Sequence, residues 1–410
     1  MRIGVIGLGY IGSVTAAVLS DQGNQVIGID NMESKVHEFK TGNIPIYEPG
    51  LKELLTKVGR RLEISTSYSE LENVEVVFIT VPTPTRDGRI DISYVLNAAR
   101  SLHAVNRSCV IVIKSTVVPG TSKEVSRITG MKVVSNPEFT REGTAIHDTV
   151  YPDRIVIGGS DDSAVNLVNE IWKFTSAPVV LTTNENAELI KYASNAFLAT
   201  KISFINEMAN LCELIPGADV EVVAKGMGMD NRIGERFLKA GLGYGGSCFP
   251  KDTLAIAAYA RELGAQLKLV ETTSFVNDER ISHAVDLIKN GLPIPLKNAR
   301  VSILGVAFKN STDDIRESQS LKLINYLLPY VLEVRVYDPI VSLEIKGTKM
   351  CHSIEECIKY ADVVVVATEW PEFLVLEDIS KNIPIVDVRR LVNPAKFKRY
   401  IGVGIGNVSN

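Results

Sequence analysis

Histidines, cysteines and long apolar runs are scarce in this 410-residue sequence, and their scarcity excludes several classes of protein. The densest apolar stretch, residues 363–367, has the length of a strand and falls well short of the ~18 residues of a membrane helix. The five cysteines lack the paired spacing of a disulfide framework or zinc site, and the five histidines form no ligand cluster. We therefore expect reduced thiols, no metal and no membrane span.

An excess of basic charge is also missing. The formal net charge is −4 and no Lys/Arg-rich block occurs, which argues against nucleic acid as a partner. The sequence enters a strand pattern directly at MRIGVIGLG, so we expect no signal peptide and a cytoplasmic location. At roughly 100–200 residues per domain, the chain has room for two or three domains.

Short β-rich runs alternate with helical patterns over residues 1–160, and the alternation returns from Ala299 onwards. Because the runs are continuously apolar, they predict parallel strands that are covered on both faces. Between these regions, from about Ala187, the pattern changes to long helices. The sequence therefore predicts an α/β fold: two Rossmann-like, doubly wound parallel-sheet domains joined by a central helical region with a long helix. The predicted domains are 1–186, 187–291 and 292–410.

A glycine-rich turn follows the first predicted strand. Gly7, Gly9 and Gly12 form GxGxxG between the strand RIGVI and a helical segment, and Asp30 ends the next strand. In this setting the glycines permit a tight turn, a close pyrophosphate and close helix packing. The phosphates would then rest on the positive N-terminus of the helix. Asp30 would bind the adenosine ribose and repel a 2′-phosphate, which predicts NAD rather than NADP; glycines that merely tighten a turn are the alternative.

The segment GYGGSCFPKD places Cys248 among glycines, whereas a structural cysteine normally sits among apolar neighbours. Lys251 and the N-terminus of a helix that is predicted to begin near Asp252 would favour the thiolate. A thiolate can capture an aldehyde, and a second hydride transfer then gives a thioester that water converts to an acid. The loop thus predicts a four-electron oxidation that uses two NAD molecules in turn. A small loop hydrophobe is the alternative for Cys248.

The chain resembles the UDP-glucose/GDP-mannose dehydrogenase family over nearly its whole length. Besides GYGGSCFPKD, family motifs occur in order as GNIPIYEPGLKELL, VPTPTRDGRID, STVVPGT, NPEFTREG, YPDRIVIG, ELIKYASNAFLATKISFINE, GMDNRIGERFLKAG and GVAFKNSTDDIRES. Thr140 departs from the pattern, since the family usually has leucine in NPEFLRE. The resemblance implies NAD-dependent oxidation of a nucleotide sugar at its C6 carbon.

Catalytic roles also follow from the resemblance. Thr116 would position a water near the reacting carbon, and Glu138 would assist thioester hydrolysis. Lys191 and Asn195, four apart on one face of a predicted helix, would stabilise and orient an oxyanion at C6. The implied catalytic residues are Cys248, Lys191, Asn195, Asp252, Glu138 and Thr116.

Each of these residues also has a plainer interpretation. Thr116 suits turn chemistry, the carboxylates could lie on the surface, and Lys–Asn pairs on helices are usually solvated. Asp252 could be the N-cap of the helix that follows, a group that activates water, or both.

The resemblance implies two sets of binding residues. The cofactor residues are Gly7, Gly9, Tyr10, Ile11, Gly12, Asp30, Lys35, Pro82, Thr83, Thr116, Glu142, Lys251 and Arg316. The substrate residues are Glu138, Phe139, Arg141, Glu142, Lys191, Asn195, Arg232, Phe237, Leu238, Lys239, Ala240, Gly241, Gly245 and Lys309. Arg232 would enter the site of a neighbouring subunit. Lysines and arginines of this kind are otherwise mostly solvated.

The sequence leaves alternatives open for the substrate and for the class of reaction. The run SCFPKD is usually missing from the UDP-N-acetylhexosamine branch represented by N-acetylmannosamine, so UDP-glucose is the expected substrate and GDP-mannose the nearest alternative. A two-electron β-hydroxyacid dehydrogenase would need neither Cys248 nor the C-terminal α/β domain. A nucleotide-sugar sensor without activity would not need Cys248, Lys191 and Asp252 together.

Apolar residues occupy more than one face of the central helix: Phe197, Ile202, Phe204, Ile205 and Leu211. Two small α/β domains cannot cover them all, so we predict a homodimer that is joined through this region.

Overall fold

The computed structural model describes residues 1–86, 88–342 and 344–406, so Asp87 of the VPTPTRDGRID motif lies outside the described residues. The chain divides into two compact units, Met1–Ser194 and Asn195–Asn410. Among the described residues, none of the helices combines the length and the apolarity that crossing a bilayer would require.

The first unit is built from short strands and the helices that connect them. Its strands are β1 (Arg2–Ile6), β2 (Gln25–Ile29), β3 (Leu62–Ser65), β4 (Val76–Ile79), β5 (Thr85–Arg86), β6 (Arg89–Ile90), β7 (Val110–Ile113), β8 (Val133–Ser135), β9 (Ile155–Gly159) and β10 (Val179–Thr182). Its helices are α1 (Tyr10–Asp21), α2 (Glu33–Thr41), α3 (Leu51–Val58), α4 (Ser93–Val105), α5 (Thr121–Thr129), α6 (Ala145–Val150) and α7 (Asp162–Ile171).

Eight of these strands form one sheet in the order β10-β9-β8-β7-β4-β1-β2-β3. Alternate residues of its central strands enter different cores. Val76 and Phe78 of β4 pack in one cluster, and Val77 and Ile79 pack in the other. Both faces of the sheet are therefore covered, which explains why the central strands read as unbroken apolar runs.

The sheet departs from the predicted parallel pairing at one pair of strands. β8 and β9 pair antiparallel, whereas the other neighbours in this sheet are parallel. The connection between them contains only the six-residue helix α6, which packs on α1 through Ala145 instead of lying along the sheet. A short helix held in this way does not carry the chain back to the starting edge of β8, as a parallel crossover must.

A 31-residue helix, α8 (Asn184–Leu214), contains the division between the two units. The second unit continues with α9 (Val220–Gly228), α10 (Phe249–Glu262), α11 (Lys268–Gly291), α12 (Gln319–Leu327), α13 (Ile354–Ile358) and α14 (Leu376–Ile379). Its strands are β11 (Arg300–Leu304), β12 (Glu333–Tyr337), β13 (Lys349–Met350), β14 (Val363–Val366), β15 (Ile385–Asp387) and β16 (Tyr400–Gly402).

These six strands form a parallel sheet in the order β13-β12-β11-β14-β15-β16. Its largest apolar cluster joins the sheet to α8 and α11, for example through Ile205, Ile288 and Val301. The predicted α/β class, with two Rossmann-like parallel sheets and a long central helix, is confirmed.

Candidate functional site

The glycine turn of the first unit has the conformation that a dinucleotide requires. Gly7 adopts a φ of +94°, and a Cβ on Gly12 would lie 1.9 Å from the Gly7 carbonyl oxygen, so neither position accepts a side chain. Open space surrounds the Cβ direction of Gly9, which precedes the first residue of α1. The hydroxyl of Thr80 donates to the carbonyls of Ile6 and Gly7 at 2.9 and 2.7 Å and fixes the turn. This cradle fits a pyrophosphate at the N-terminus of a helix.

Asp30 lies beside this turn, where the ribose of a bound dinucleotide would be expected. Its buried carboxylate accepts the backbone N–H of Leu8 at 2.9 Å and the ammonium of Lys35 at 2.9 Å. Asp30 therefore holds the glycine turn as well as a cation that was predicted to contact the cofactor. Thr83 and Thr116 are also brought together, since the Thr83 hydroxyl donates to the Thr116 carbonyl at 2.8 Å, whereas Pro82 is exposed.

A buried ion pair lies at the carboxyl side of the sheet. The ammonium of Lys191 approaches Glu138 Oε1 to 2.9 Å, and both side chains are at least nine-tenths buried. Glu138 Oε2 accepts the backbone N–H and the hydroxyl of Thr140, each at 2.7 Å. Burial raises the pKa of Glu138, but the charge and hydrogen bond of Lys191 and the two bonds from Thr140 outweigh it, so the pKa lies below its usual range. Glu138 is thus held as a carboxylate.

A second buried cation, Lys114, interacts electrostatically with this pair. Burial lowers the pKa of Lys114 to about 8; Glu138 opposes the shift and the like charge of Lys191 adds to it. The Lys114 ammonium lies 4.8 Å from the centre of the Trp172 ring, a cation–π distance. One carboxylate between two lysines leaves net positive charge, which favours an anion or oxyanion at this place.

Phe139 packs between two cations. The guanidinium carbon of Arg154 lies 3.6 Å from the ring centre, and the Lys191 ammonium lies 5.4 Å from it. Arg154 also donates to the Ser194 hydroxyl at 3.4 Å, and burial lowers the pKa of its guanidinium. This packing fixes the backbone that carries Glu138.

The segment after Phe139 is fixed by a different carboxylate. Glu48 accepts hydrogen bonds from the Tyr10 hydroxyl and from the N–H groups of Gly143 and Ala145, the latter two at 2.7 Å. The half-buried Glu142 immediately precedes Gly143.

Arg141 is also fixed within this segment. It is exposed and forms a bidentate pair with Asp148, with N–O distances of 3.0 and 2.7 Å. The structure therefore places the predicted substrate residue Arg141 in an ion pair at the surface.

In the second unit, Cys248 is exposed and is the N-cap of α10. Its Sγ lies 3.6 Å from the Ser247 hydroxyl. The unsatisfied N–H groups and the dipole of the helix favour negative charge at this position.

Of the two interpretations that the sequence left open for Asp252, the N-cap of this helix is wrong. The helix begins at Phe249, with Pro250 in its first turn, and the Asp252 N–H already donates to the Cys248 carbonyl at 2.8 Å. The buried Asp252 carboxylate instead receives the Asn195 amide and the Lys251 ammonium, one on each oxygen and each at 2.6 Å. Asp252 thus fixes Lys251 within the first turn after Cys248.

The glycines of the cysteine loop are required by packing within the second unit. A Cβ on Gly243 would lie 2.4 Å from Asn277 Oδ1, and one on Gly245 would lie 2.3 Å from the Glu317 carbonyl oxygen. A Cβ on Gly246, whose φ is +82°, would lie 2.8 Å from the Phe308 ring. The motif GVAFKNSTDDIRES therefore supports the backbone that carries Cys248.

The other predicted residues of this unit are either buried in it or lie at least partly exposed at its surface. The side chains of Leu238 and Ala240 are buried in its core, and the Gly241 N–H donates to Asn206 at 2.8 Å. Gly245 is buried, Phe237 and Lys309 are half-buried, and Lys239 is exposed. Arg232 and Arg316 are exposed and form bidentate pairs with Asp230 and Asp314, respectively.

The chain matches three domains of one family. Residues 1–176, 185–279 and 302–394 match the NAD binding, central and UDP binding domains of the UDP-glucose/GDP-mannose dehydrogenase family. The chain belongs to this family. It is an NAD-dependent nucleotide-sugar dehydrogenase, and the cradle at the glycine turn is where NAD fits.

Individual relatives agree with this assignment. The enzyme is 42% identical to UDP-glucose 6-dehydrogenase of Rhizobium meliloti, with 98% of this chain and 99% of the relative covered. It is also 42% identical to UDP-glucose 6-dehydrogenase YwqF of Bacillus subtilis, with 91% and 88% covered. A solved UDP-glucose dehydrogenase from Pyrobaculum islandicum superposes with a TM-score of 0.93 at 36% identity, covering 98% of both chains.

Sequence reasoning missed several residues of the first unit's site. Lys114 ends the buried strand run VIVI, and a charged residue at the carboxyl end of a central parallel strand is a signal that could have identified it. Thr80 follows β4 in the same way. Arg154 and Glu48 stand in the motifs YPDRIVIG and GNIPIYEPGLKELL, which marked their segments, but only tertiary packing brings them to Phe139 and Tyr10.

We expect Thr140 to tune Glu138. Thr140→Val removes one of the hydrogen bonds that hold the Glu138 carboxylate, so the pKa of Glu138 should rise. If its ionised form is needed, the acid limb of the pH profile of kcat should move to higher pH, and turnover at the acidic end should fall severalfold. Thr140→Ser keeps the hydroxyl and is the matched control. Superimposable profiles for the valine variant and the parent would contradict this role.

Proposed function

We propose that the enzyme oxidises UDP-glucose to UDP-glucuronate with two molecules of NAD, through a thiohemiacetal and a thioester on Cys248. The observation that carries the proposal is an exposed cysteine at the N-terminus of α10, with Lys251 fixed by Asp252 in the same turn. The identity to UDP-glucose 6-dehydrogenases over nearly the full chain supports the choice of sugar.

The proposed reaction proceeds in balanced steps. NAD, when bound, accepts a hydride in each oxidation. The C6 alcohol first becomes an aldehyde, losing a hydride and a proton. Cys248 Sγ then bonds to C6, and the thiol proton passes to the carbonyl oxygen, giving a thiohemiacetal. The second oxidation leaves a thioester; attack by water breaks the C–S bond, releasing the carboxylic acid and the thiol.

The chain's own residues stabilise charge and move protons in this sequence. Lys191, with Lys114 nearby, supplies the positive charge that an oxyanion at C6 requires. Glu138, held as a carboxylate, suits the general base that accepts a proton from the hydrolytic water, which Thr116 would position. The Asn195 amide would orient the same oxyanion, and Asp252 would assist the water.

We assign residues 1–186 to NAD binding, 187–291 to a helical region of assembly and 292–410 to binding of the UDP moiety. The remaining predicted binding residues keep their proposed roles, with Arg316 and Lys251 on the cofactor side and Lys239 and Lys309 on the substrate side. We place the enzyme in the cytoplasm, where thiols such as Cys248 stay reduced.

We further propose that the enzyme is a homodimer joined through α8. Phe197, Phe204 and Leu211 stand seven residues apart on this helix and are 66%, 43% and 50% exposed, so they form one apolar stripe. Ile205 does not belong to the stripe, because it is fully buried in the core of its own unit. In such a dimer Arg232, whose side chain is 89% exposed, is available to the partner's site.

Limiting UDP-glucose should yield two NADH per sugar, because the cysteine retains the aldehyde for a second oxidation. Absorbance of the reduced cofactor, measured with UDP-glucose, GDP-mannose and UDP-N-acetylmannosamine, also reports substrate choice. A yield of one NADH with free aldehyde would overturn the thioester route. A yield of two from GDP-mannose alone would overturn only the choice of sugar.

Replacing the nucleophile should stall turnover. Cys248→Ser should reduce kcat by several orders of magnitude, since serine is hardly ionised without a dedicated base and its oxygen ester hydrolyses poorly. Intact-mass measurement should then detect protein that carries a uronyl-nucleotide adduct. Cys248→Ala should bind UDP-glucose but form no adduct, and Cys212→Ser is the control with parental activity. A Cys248→Ser enzyme with the parental rate would show that the cysteine only fills the loop.

A charge in the α8 stripe should separate the dimer. Phe204→Glu would place an unpaired carboxylate in the interface, which costs several kcal/mol. Sedimentation at micromolar concentration should show a dimer for the parent and a monomer for the variant. Leu332→Glu, at another exposed apolar position, is the matched control and should remain a dimer. A monomeric parent would refute this interface and remove the proposed role of Arg232.

A further inference from the structure

Two buried cysteines of the second unit face the same side of its sheet. Cys351 directly follows β13, and its N–H donates to the Val336 carbonyl at 2.8 Å. Because Arg335 pairs with Lys349 and Val336 with Met350, the continued register places Cys351 on the face that carries Arg335. The helix α13 packs on β12 and β11 and carries Cys357.

The position of Cys357 is fixed from the same face. Its carbonyl accepts the Ser302 hydroxyl at 2.6 Å, and Ser302 is the register partner of Arg335 on the neighbouring strand. Cys351 and Cys357 are 5% and 0% exposed and belong to one apolar cluster, in which the Cys351 thiol donates to the Lys349 carbonyl at 3.6 Å. Two cysteines that are six apart in sequence are thus brought into one buried cluster on the same face of the sheet.

The guanidinium of Arg335 lies buried on this face and is only loosely paired with an anion. Its side chain is 3% exposed, and within the part of the chain that the structure describes its Nε and Nη1 have no hydrogen-bond partner. The carboxylate of Glu333 comes only to 3.7 Å from Nε, and the Tyr360 ring lies 5.6 Å from the guanidinium carbon. Because the contact with Glu333 is long, a thiolate near the guanidinium would add favourable charge to this buried cation.

The two sulfurs are electrostatically unequal. The interaction with Cys357 and, more weakly, the charge of Arg335 lower the pKa of Cys351 to about 7, whereas Cys351 and burial raise that of Cys357. Cys109 and Cys212 are buried without such a cation, and burial raises the pKa of both, that of Cys109 to about 11. Cys351 is also the less buried of the two, 5% exposed against 0%, so it is the better candidate for the first attack and Cys357 for the resolving step.

We propose that Cys351 and Cys357 form an oxidative modification site, in which a hydroperoxide converts the two thiols to an intramolecular disulfide beside Arg335. The Cys351 thiolate attacks a peroxide oxygen, the O–O bond breaks, and a sulfenic acid forms; the departing hydroxide or alkoxide takes up, through solvent, the proton that the thiol had released, giving the first water or alcohol. Cys357 then attacks the sulfenic sulfur, the S–S bond forms and a water leaves with the Cys357 proton. Two electrons pass from the thiols to the peroxide. The site is independent of the proposed function.

Peptide mapping tests the site on the full chain. The protein is exposed to graded hydrogen peroxide, blocked with N-ethylmaleimide in denaturant and cut with trypsin, which releases both cysteines in the single peptide MCHSIEECIK. We expect this peptide to become lighter by two hydrogens, to carry no maleimide and to recover both labels after reduction. The Cys109 peptide should keep its label throughout and serves as the internal control.

Substitutions test the roles of the two cysteines and of Arg335 separately. Cys357→Ser should leave a sulfenic acid at Cys351 that dimedone traps, while Cys351→Ser should leave Cys357 unreacted. Arg335→Gln should slow disulfide formation about tenfold through a smaller thiolate fraction, and Arg335→Lys should restore most of the rate. A peptide that keeps two maleimide groups at a dose that oxidises the exposed Cys248 would overturn the proposal. Sulfinic acid at Cys351 with Cys357 still labelled would also overturn it.

Discussion

The ion pair between Glu138 and Lys191 organises the site of the first unit. Both side chains are buried, so removing either would leave an uncompensated charge, a change that typically costs ~3–5 kcal/mol. A buried ion pair nevertheless adds little net stability compared with an apolar pair of the same volume. Thr140 holds the second oxygen of Glu138, and Arg154 packs on the intervening Phe139. This arrangement is therefore better explained by chemistry at the carboxylate than by stability.

Asp252 applies the same constraint in the second unit. Its two oxygens are occupied by Asn195 and Lys251, so the carboxylate is fully engaged before any water approaches. Positioning Lys251 near the N-terminus of α10 is consequently the role that the geometry supports most directly. Activating a water would require Asp252 to release one partner, most readily Lys251, whose side chain is 22% exposed.

The sequence was sufficient to predict the fold class and those elements that short local patterns encode. GxGxxG, the apolar runs and the long helix each encode their structure within a short window, and Asp30 lies at the predicted edge. The sequence was insufficient where a residue distant along the chain determines a side-chain contact or a strand pairing. Aspartate is a residue type that N-caps favour, but the Asp252 carboxylate instead accepts a hydrogen bond from the Asn195 amide. No local feature of the sequence predicted the antiparallel pairing of β9, and the motif that contains Arg154 did not reveal its contact with Phe139.

The glycines of the cysteine loop have a structural role that the sequence did not reveal. They suggested a backbone shaped around a ligand, yet Gly243, Gly245 and Gly246 each face an atom of their own unit closer than a Cβ allows. The loop is therefore set by the protein, with or without a ligand. A nucleophile benefits from this arrangement, because a rigid backbone holds Cys248 at the start of α10 and no substrate binding energy is spent on ordering it.

The buried cysteines differ from one another in their charged surroundings. The neighbouring glycines and Lys251 marked Cys248 in the sequence, whereas the other four cysteines had no distinguishing neighbours. The structure divides those four by their charged neighbours: Cys109 and Cys212 lie where burial disfavours the thiolate, while Cys351 and Cys357 share a face with a buried guanidinium. A thiol's reactivity depends on the charge near it, and charge at a sheet face is set by register. The pairing of Arg335 with Ser302 and Lys349 thus places both cysteines on the face that carries the guanidinium, a consequence that their spacing alone does not reveal.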